Sequence, residues 1–152
     1  MSHGCRVTGV QQAVVPTRCR KPRILVVDDD RVLASTLATI LAAEGYQTAT
    51  SFSGEGAIQV ARSFEPDFIV SDIMMGTMNG VQAAMEILRF LPGCKVLFVS
   101  GDANYADALT EPGVQRFRFE VLAKPIDPLD LLTRISQVLP AGGAEIEESR
   151  PA

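Results

Sequence analysis

A chain of 152 residues, 47% apolar and 21% charged, can build one folded domain but not comfortably two, and its composition excludes global disorder. Its net charge of -4 argues against a nucleic-acid-binding body, because phosphate contacts need a basic face. Cys5, Cys19 and Cys94 lack CxxC spacing and suggest neither a disulfide framework nor a zinc site, and no apolar run reaches the roughly 18–20 residues of a membrane span.

From Arg23 onward, short apolar runs alternate with longer helical patterns. Ile24-Leu25-Val26-Val27 reads as a buried strand that ends at three aspartates. Leu33, Leu37, Ile40 and Leu41 then share one helical face that stops near Gly45, and Asp30 is placed to cap that helix. Tyr46–Thr50 has the polar content of an edge strand. Ala57, Val60, Ala61 and Phe64 predict a second helix closed by Glu65-Pro66. Phe68-Ile69-Val70 is a buried strand ending at Ser71-Asp72, and Val81, Ala84, Met85 and Leu88 follow as a third helical face before Pro92-Gly93. Val96–Val99 is a fourth strand ending at Ser100, residues 103–109 predict a short helix, and Val121–Ala123 is a fifth strand ending at Lys124-Pro125. Leu131, Ile135, Val138 and Leu139 form the last helical stripe. The alternation of Arg116-Phe117-Arg118-Phe119 predicts one packed and one solvent-facing side.

Five strands alternating with five helices imply an α/β domain: a doubly wound parallel sheet covered on both faces. Residues 22–140 hold it. Residues 1–21, carrying Arg6, Arg18, Arg20 and Lys21, read as a flexible basic leader with no secretory signal, and residues 141–152, carrying Glu145, Glu147 and Glu148 against Arg150, as a flexible tail. A soluble, cytoplasmic protein is expected.

The polar residues at the strand ends carry the chemistry. Asp28 and Asp29 follow strand one, Asp72 strand three, Ser100 strand four and Lys124 strand five. In a parallel sheet these positions share the carboxyl edge, where open α/β folds bind ligands. Three carboxylates in one pocket repel one another, and a hard divalent cation resolves the conflict; Mg²⁺ suits one or two carboxylates plus waters and a phosphate oxygen. A lysine and a hydroxyl opposite can hold a phosphoryl group's remaining oxygens. These residue types suggest Mg²⁺-assisted phosphoryl chemistry on a carboxylate.

The segments ILVVDDD (24–30), VSDIMMGTMNG (70–80), VLFVSGDA (96–103) and VLAKPID (121–127) resemble, in order, those of response-regulator receiver domains of two-component signalling. The resemblance covers residues 23–139 and implies a flavodoxin-like fold with strand order 2-1-3-4-5. It implies that Asp72 is the phosphoacceptor and that Asp29 ligates Mg²⁺ directly with Asp28 beside it. Met74 would lend a backbone carbonyl, Ser100 the switch hydroxyl and Lys124 the phosphate-binding cation, with Lys124-Pro125 in the cis form. Gly101 fits a position kept small for the phosphodonor. The implied partners are a sensor histidine kinase or phosphotransfer protein and an unidentified downstream protein, with neither nucleic acid nor membrane insertion. Such a protein is a signalling phosphoacceptor and not an enzyme.

Departures from the family pattern are Gly76 where proline is common, Val121 where a rotating tyrosine or phenylalanine is usual, Ile126 after Lys-Pro, and a short fourth helix. Only 28 residues follow Lys124, so protein–protein output is expected. A receiver-like interaction module independent of phosphorylation is the alternative that Val121 favours. A haloacid-dehalogenase-like phosphatase using Asp28 would fit Asp28–Val32 but leave Asp72 unexplained.

Overall fold

The computed structural model describes residues 20–102, 105–110 and 113–141. The expected flexibility of the leader and tail therefore falls mostly outside the described residues. The strands are β1 (Arg23–Val27), β2 (Gln47–Ser51), β3 (Phe68–Asp72), β4 (Lys95–Ser100) and β5 (Glu120–Ala123). All pairs are parallel, in the order β2-β1-β3-β4-β5. The helices are α1 (Arg31–Ala43), α2 (Gly54–Phe64), α3 (Gly80–Phe90), α4 (Ala106–Leu109) and α5 (Pro128–Val138).

Alternation along the strands builds the two layers of core. Ile24, Val26, Phe68, Val70, Leu97 and Val99 face α1 and α5, where Leu37, Leu41, Leu131 and Ile135 meet them. Leu25, Val27 and Ile69 face the other side with Ala57, Ala61, Ile87 and Leu88. Each such aliphatic side chain contributes about 1.5–3 kcal/mol on burial. The even residues of β1 thus hold one layer and the odd residues the other, which is why the run shows no polar break.

Caps set where the helices begin, and hence where the strand-end loops point. Asp30 accepts from the Val32 and Leu33 amides at the start of α1, as the sequence suggests. Asn79 and Gln82 form a reciprocal capping box on α3. Asp127 caps α5, with Pro128 at its first turn. Glu65 ends α2 in the left-handed conformation directly before Pro66.

Three expectations are adjusted. The edge strand starts at Gln47, because Tyr46 instead turns inward and its hydroxyl donates to the Leu139 carbonyl at 2.6 Å. The fourth helix spans only Ala106–Leu109, and residues 103 and 104 of the predicted helix lie outside the described set. The expected packed side of Arg116–Phe119 is only half realised: Gln115–Phe117 is a 3₁₀ turn and Arg118 is left-handed (φ 52°), and Phe117 stacks face to face on Phe119 at 5.3 Å while staying 37% exposed.

Candidate functional site at the carboxyl edge

Register brings the strand ends together. Val27 pairs with both Ser51 and Ser71, so Asp28 emerges one residue beyond β1 beside Asp72 at the end of β3. Asp72 lies opposite Val99, and Ser100 opposite Ala123, which places Lys124 next to the end of β4. Asp28, Asp72 and Ser100 are buried polar residues, whereas Asp29 is exposed.

Asp28 is held from two sides. Its Oδ1 accepts from the Asp30 amide at 2.9 Å, and its Oδ2 accepts from Lys124 Nζ at 2.9 Å. Lys124 Nζ also lies 3.6 Å from Asp72 Oδ2, an ion pair slightly beyond hydrogen-bond length. The peptide Lys124-Pro125 is cis. One ammonium therefore serves two buried carboxylates, and a third stands alongside. Burial first, then the Asp28 charge, pushes the Asp72 carboxyl up to about 6, with Lys124 pulling the other way. Burial of Lys124 disfavours its charge, but the Asp28 hydrogen bond and the Asp72 and Asp28 charges outweigh that and hold its pKa above the usual lysine value.

Oxygens of Asp28, Asp29 and Asp72 all lie within 4.8 Å of one another. Hard, anionic donors with one solvent-facing member fit a hard divalent cation that keeps several waters, which is the habit of Mg²⁺. Met74 leaves its side chain about half exposed, and together with Asp29, Thr77 and Gln82 it lines an open cavity beside the cluster. A side-chain thioether is a poor partner for such an ion.

Ser100 reaches the same edge, but its hydroxyl is engaged with Asp102: Oγ donates to the Asp102 carbonyl at 2.9 Å and accepts from the Asp102 amide at 3.1 Å. The sequence-predicted residues Asp28, Asp29, Asp72 and Lys124 thus converge, and Ser100 stands at the adjoining strand end turned toward Asp102. Gly101 is exposed at the rim, and a β-carbon there would make only ordinary contact with the Lys124 side chain at 3.6 Å.

Two supports were not foreseen. A β-carbon at Gly80 would lie 1.9 Å from the Asp72 carbonyl oxygen, and the Gly80 amide donates to the Ile73 carbonyl at 2.7 Å. The start of α3 therefore abuts the backbone of Asp72, and only glycine permits that approach. On the other flank, Thr77 Oγ1 donates to Glu55 Oε2 at 2.8 Å, tying the loop to α2 despite Gly76. A glycine directly behind the Asn79 cap was the only local hint of the first contact.

Residues 24–136 match the family model of the response regulator receiver domain. The chain belongs to that family. As a receiver domain it is 31% identical over 115 residues to the DNA-binding response regulator MtrA of Mycolicibacterium paratuberculosis, covering 76% of this chain and 50% of that one. It is 34% identical over 131 residues to the transcriptional regulatory protein GlrR of Escherichia coli K12, covering 85% of this chain and 27% of that one. The chain thus spans half or less of the length of these curated relatives. Among solved structures, a CheY-like response regulator receiver domain protein from Methanospirillum hungatei superposes with a TM-score of 0.69 at 25% identity, covering 78% of this chain and 93% of that one. The response regulator TrrA of Thermotoga maritima, solved in complex with Mg²⁺ and BeF, gives 0.66 at 26% identity, covering 78% and 99%. The expected family and the doubly wound 2-1-3-4-5 sheet both hold.

Proposed function

We propose that this receiver unit, residues 22–140, is a phosphoacceptor switch in which Asp72 takes a phosphoryl group from a histidine kinase or phosphotransfer protein. The observation that carries the reading is the bridging of Asp28 and Asp72 by Lys124 inside a three-carboxylate cluster. With a carboxyl value of about 6, Asp72 is mostly ionised at neutral pH and can act as a nucleophile. Its oxygen attacks the phosphorus of a phosphohistidine, the P–N bond breaks, and the imidazole leaves with the bonding pair. The resulting acyl phosphate carries oxygens that Lys124 can pair with and that the Ser100 hydroxyl can reach after releasing Asp102. Asp28, Asp29, Asp72 and the Met74 carbonyl would hold Mg²⁺, which supplies charge neutralisation for the incoming phosphoryl oxygens. No hydrolytic substrate is required, and the output is protein–protein contact.

The test is incubation with Mg²⁺ and acetyl phosphate, followed by mapping of an acid-stable, base-labile adduct. Labelling of Asp72, abolished by Asp72→Asn, is the expected result. Labelling at Asp28 would instead support phosphatase-like chemistry. No labelling, even with candidate kinases, would support an interaction module independent of phosphorylation.

A further inference from the structure

At the opposite, amino edge of the sheet lies a cleft of about 350 Å³ that the phosphoacceptor chemistry does not use. It opens beneath the starts of β4 and β5, between the end of α3 and the last turns of α5. Phe117, Phe119 and Val138 supply apolar wall; Phe117 is 37% exposed and Val138 53% exposed, high values for large apolar side chains. Phe119 is fixed edge-to-face on the buried Phe98, which makes the stacked pair a rigid platform. Arg118, at the lip, closes the Gln115–Phe117 turn in the left-handed conformation, its amide donating to the Gln115 carbonyl.

The charges around this cleft are unbalanced. Arg134 is paired with Glu120 and Asp130. Lys95 and Arg118 line the cleft with no ion pair among the described residues, and Arg116 lies over the Phe117 ring at 5.1 Å, likewise without one. The cleft therefore calls for an apolar side chain flanked by carboxylates. The chain carries that chemistry shortly after α5, as Glu145-Ile146-Glu147-Glu148. Val138 itself lines the cleft, but Leu139 and Ala141 after it pack on the α1–α5 core beside Tyr46 and Gly45, so the reach to Ile146 is the five steps from Ala141. Extended chain of five steps spans on the order of 16–18 Å, enough to turn back over the last turn of α5.

We propose that residues 145–148 dock in this cleft of their own chain, Ile146 against Phe117 and Phe119 and the glutamates beside Lys95, Arg116 and Arg118. The docked tail covers the exposed aromatic pair and neutralises the basic rim. Screening makes the contact weaker at high salt. This assignment is independent of the phosphoacceptor reading.

The experiment is NMR on the isotopically labelled full chain. Expected are NOEs between the Ile146 methyl groups and the ring protons of Phe117 or Phe119 at low salt. Ile146→Ser is expected to lower the docked-to-undocked ratio about tenfold, from loss of one buried aliphatic group. That variant should shift the amide resonances of Lys95 and Phe117–Glu120, and Arg118→Glu should return residues 145–148 to random-coil values. The substitution in the tail leaves the folded core untouched, so misfolding cannot imitate the result. Core amides unmoved by Ile146→Ser would overturn the proposal. NOEs seen only between differently labelled molecules would also overturn it, by assigning the cleft to a second copy's tail.

Discussion

Asp72→Asn should stabilise the metal-free protein, and the gain should grow with pH. The Asp72 carboxyl is held at about 6 against an ordinary 3.8, first by burial and then by repulsion from Asp28, with Lys124 compensating only partly. Below about pH 4 the acid is protonated in both folded and unfolded chains, so it adds no pH-dependent penalty there. As pH rises toward about 6 the unfolded chain ionises first, and the folded state falls behind; above that window the full penalty is present. A shift of this size corresponds to about 3 kcal/mol. Asparagine resembles the protonated acid and escapes the penalty. Urea unfolding of wild type and Asp72→Asn, with chelator, at several pH values from 4 to 7 reads the difference directly. The stability advantage of the variant should widen by about 3 kcal/mol across that range. A constant advantage, or one that narrows with pH, would refute the electrostatic account of the pocket. Added Mg²⁺ should stabilise the wild type more than the variant, since it relieves the same repulsion.

Other substitutions probe other supports. Lys124→Met leaves Asp28 buried without its cation and should cost about 3 kcal/mol near neutral pH by denaturant unfolding. Because Lys124 titrates above 10.5 in the folded chain, that difference should persist up to 10.5 and fade as pH climbs through the raised value. Gly80→Ala forces the Asp72 carbonyl aside and should cost about 3 kcal/mol or more, whereas Gly93→Ala, with open space at the β-carbon, should be near neutral in the same assay. Tyr46→Phe should lower stability by about 1–2 kcal/mol, by stranding the buried Leu139 carbonyl. The Cys94 thiol, pushed up to about 12 by burial, should resist alkylation at neutral pH and react only as fast as the native state opens.

The strand ends were legible because a strand buried on both faces shows as an unbroken apolar run, and its last residue shows as the first polar one. That signal located Asp28, Asp72, Ser100 and Lys124 together with their common edge, and the Asp30 cap followed from its position before a helical stripe. The β2 boundary was less clear because an edge strand mixes polar and apolar residues, so Tyr46 looked like strand while serving to hold the end of α5. Arg116–Phe119 misled for a different reason. Alternation predicts a packed and an exposed side, but it cannot show that a 3₁₀ turn and a left-handed Arg118 leave Phe117 half out of the core. The direction of the Ser100 hydroxyl and the approach of Gly80 to Asp72 depend on contacts across space, which carry no local period.

The bond from the Gly80 amide to the Ile73 carbonyl closes residues 73–80 at their neck, like a drawstring. Both ends of the loop are thereby fixed against β3, while Gly76, with nothing within 4 Å of a β-carbon there, faces open solvent between the buried Met75 and the Glu55-bonded Thr77. Met74, whose side chain is exposed, can then be exchanged to reshape the rim beside Asp29 without displacing the carboxylate at Asp72, whereas Met75 is buried in the core and Thr77 holds Glu55. The chemistry of the rim and the position of the acceptor become separately adjustable properties of one short loop.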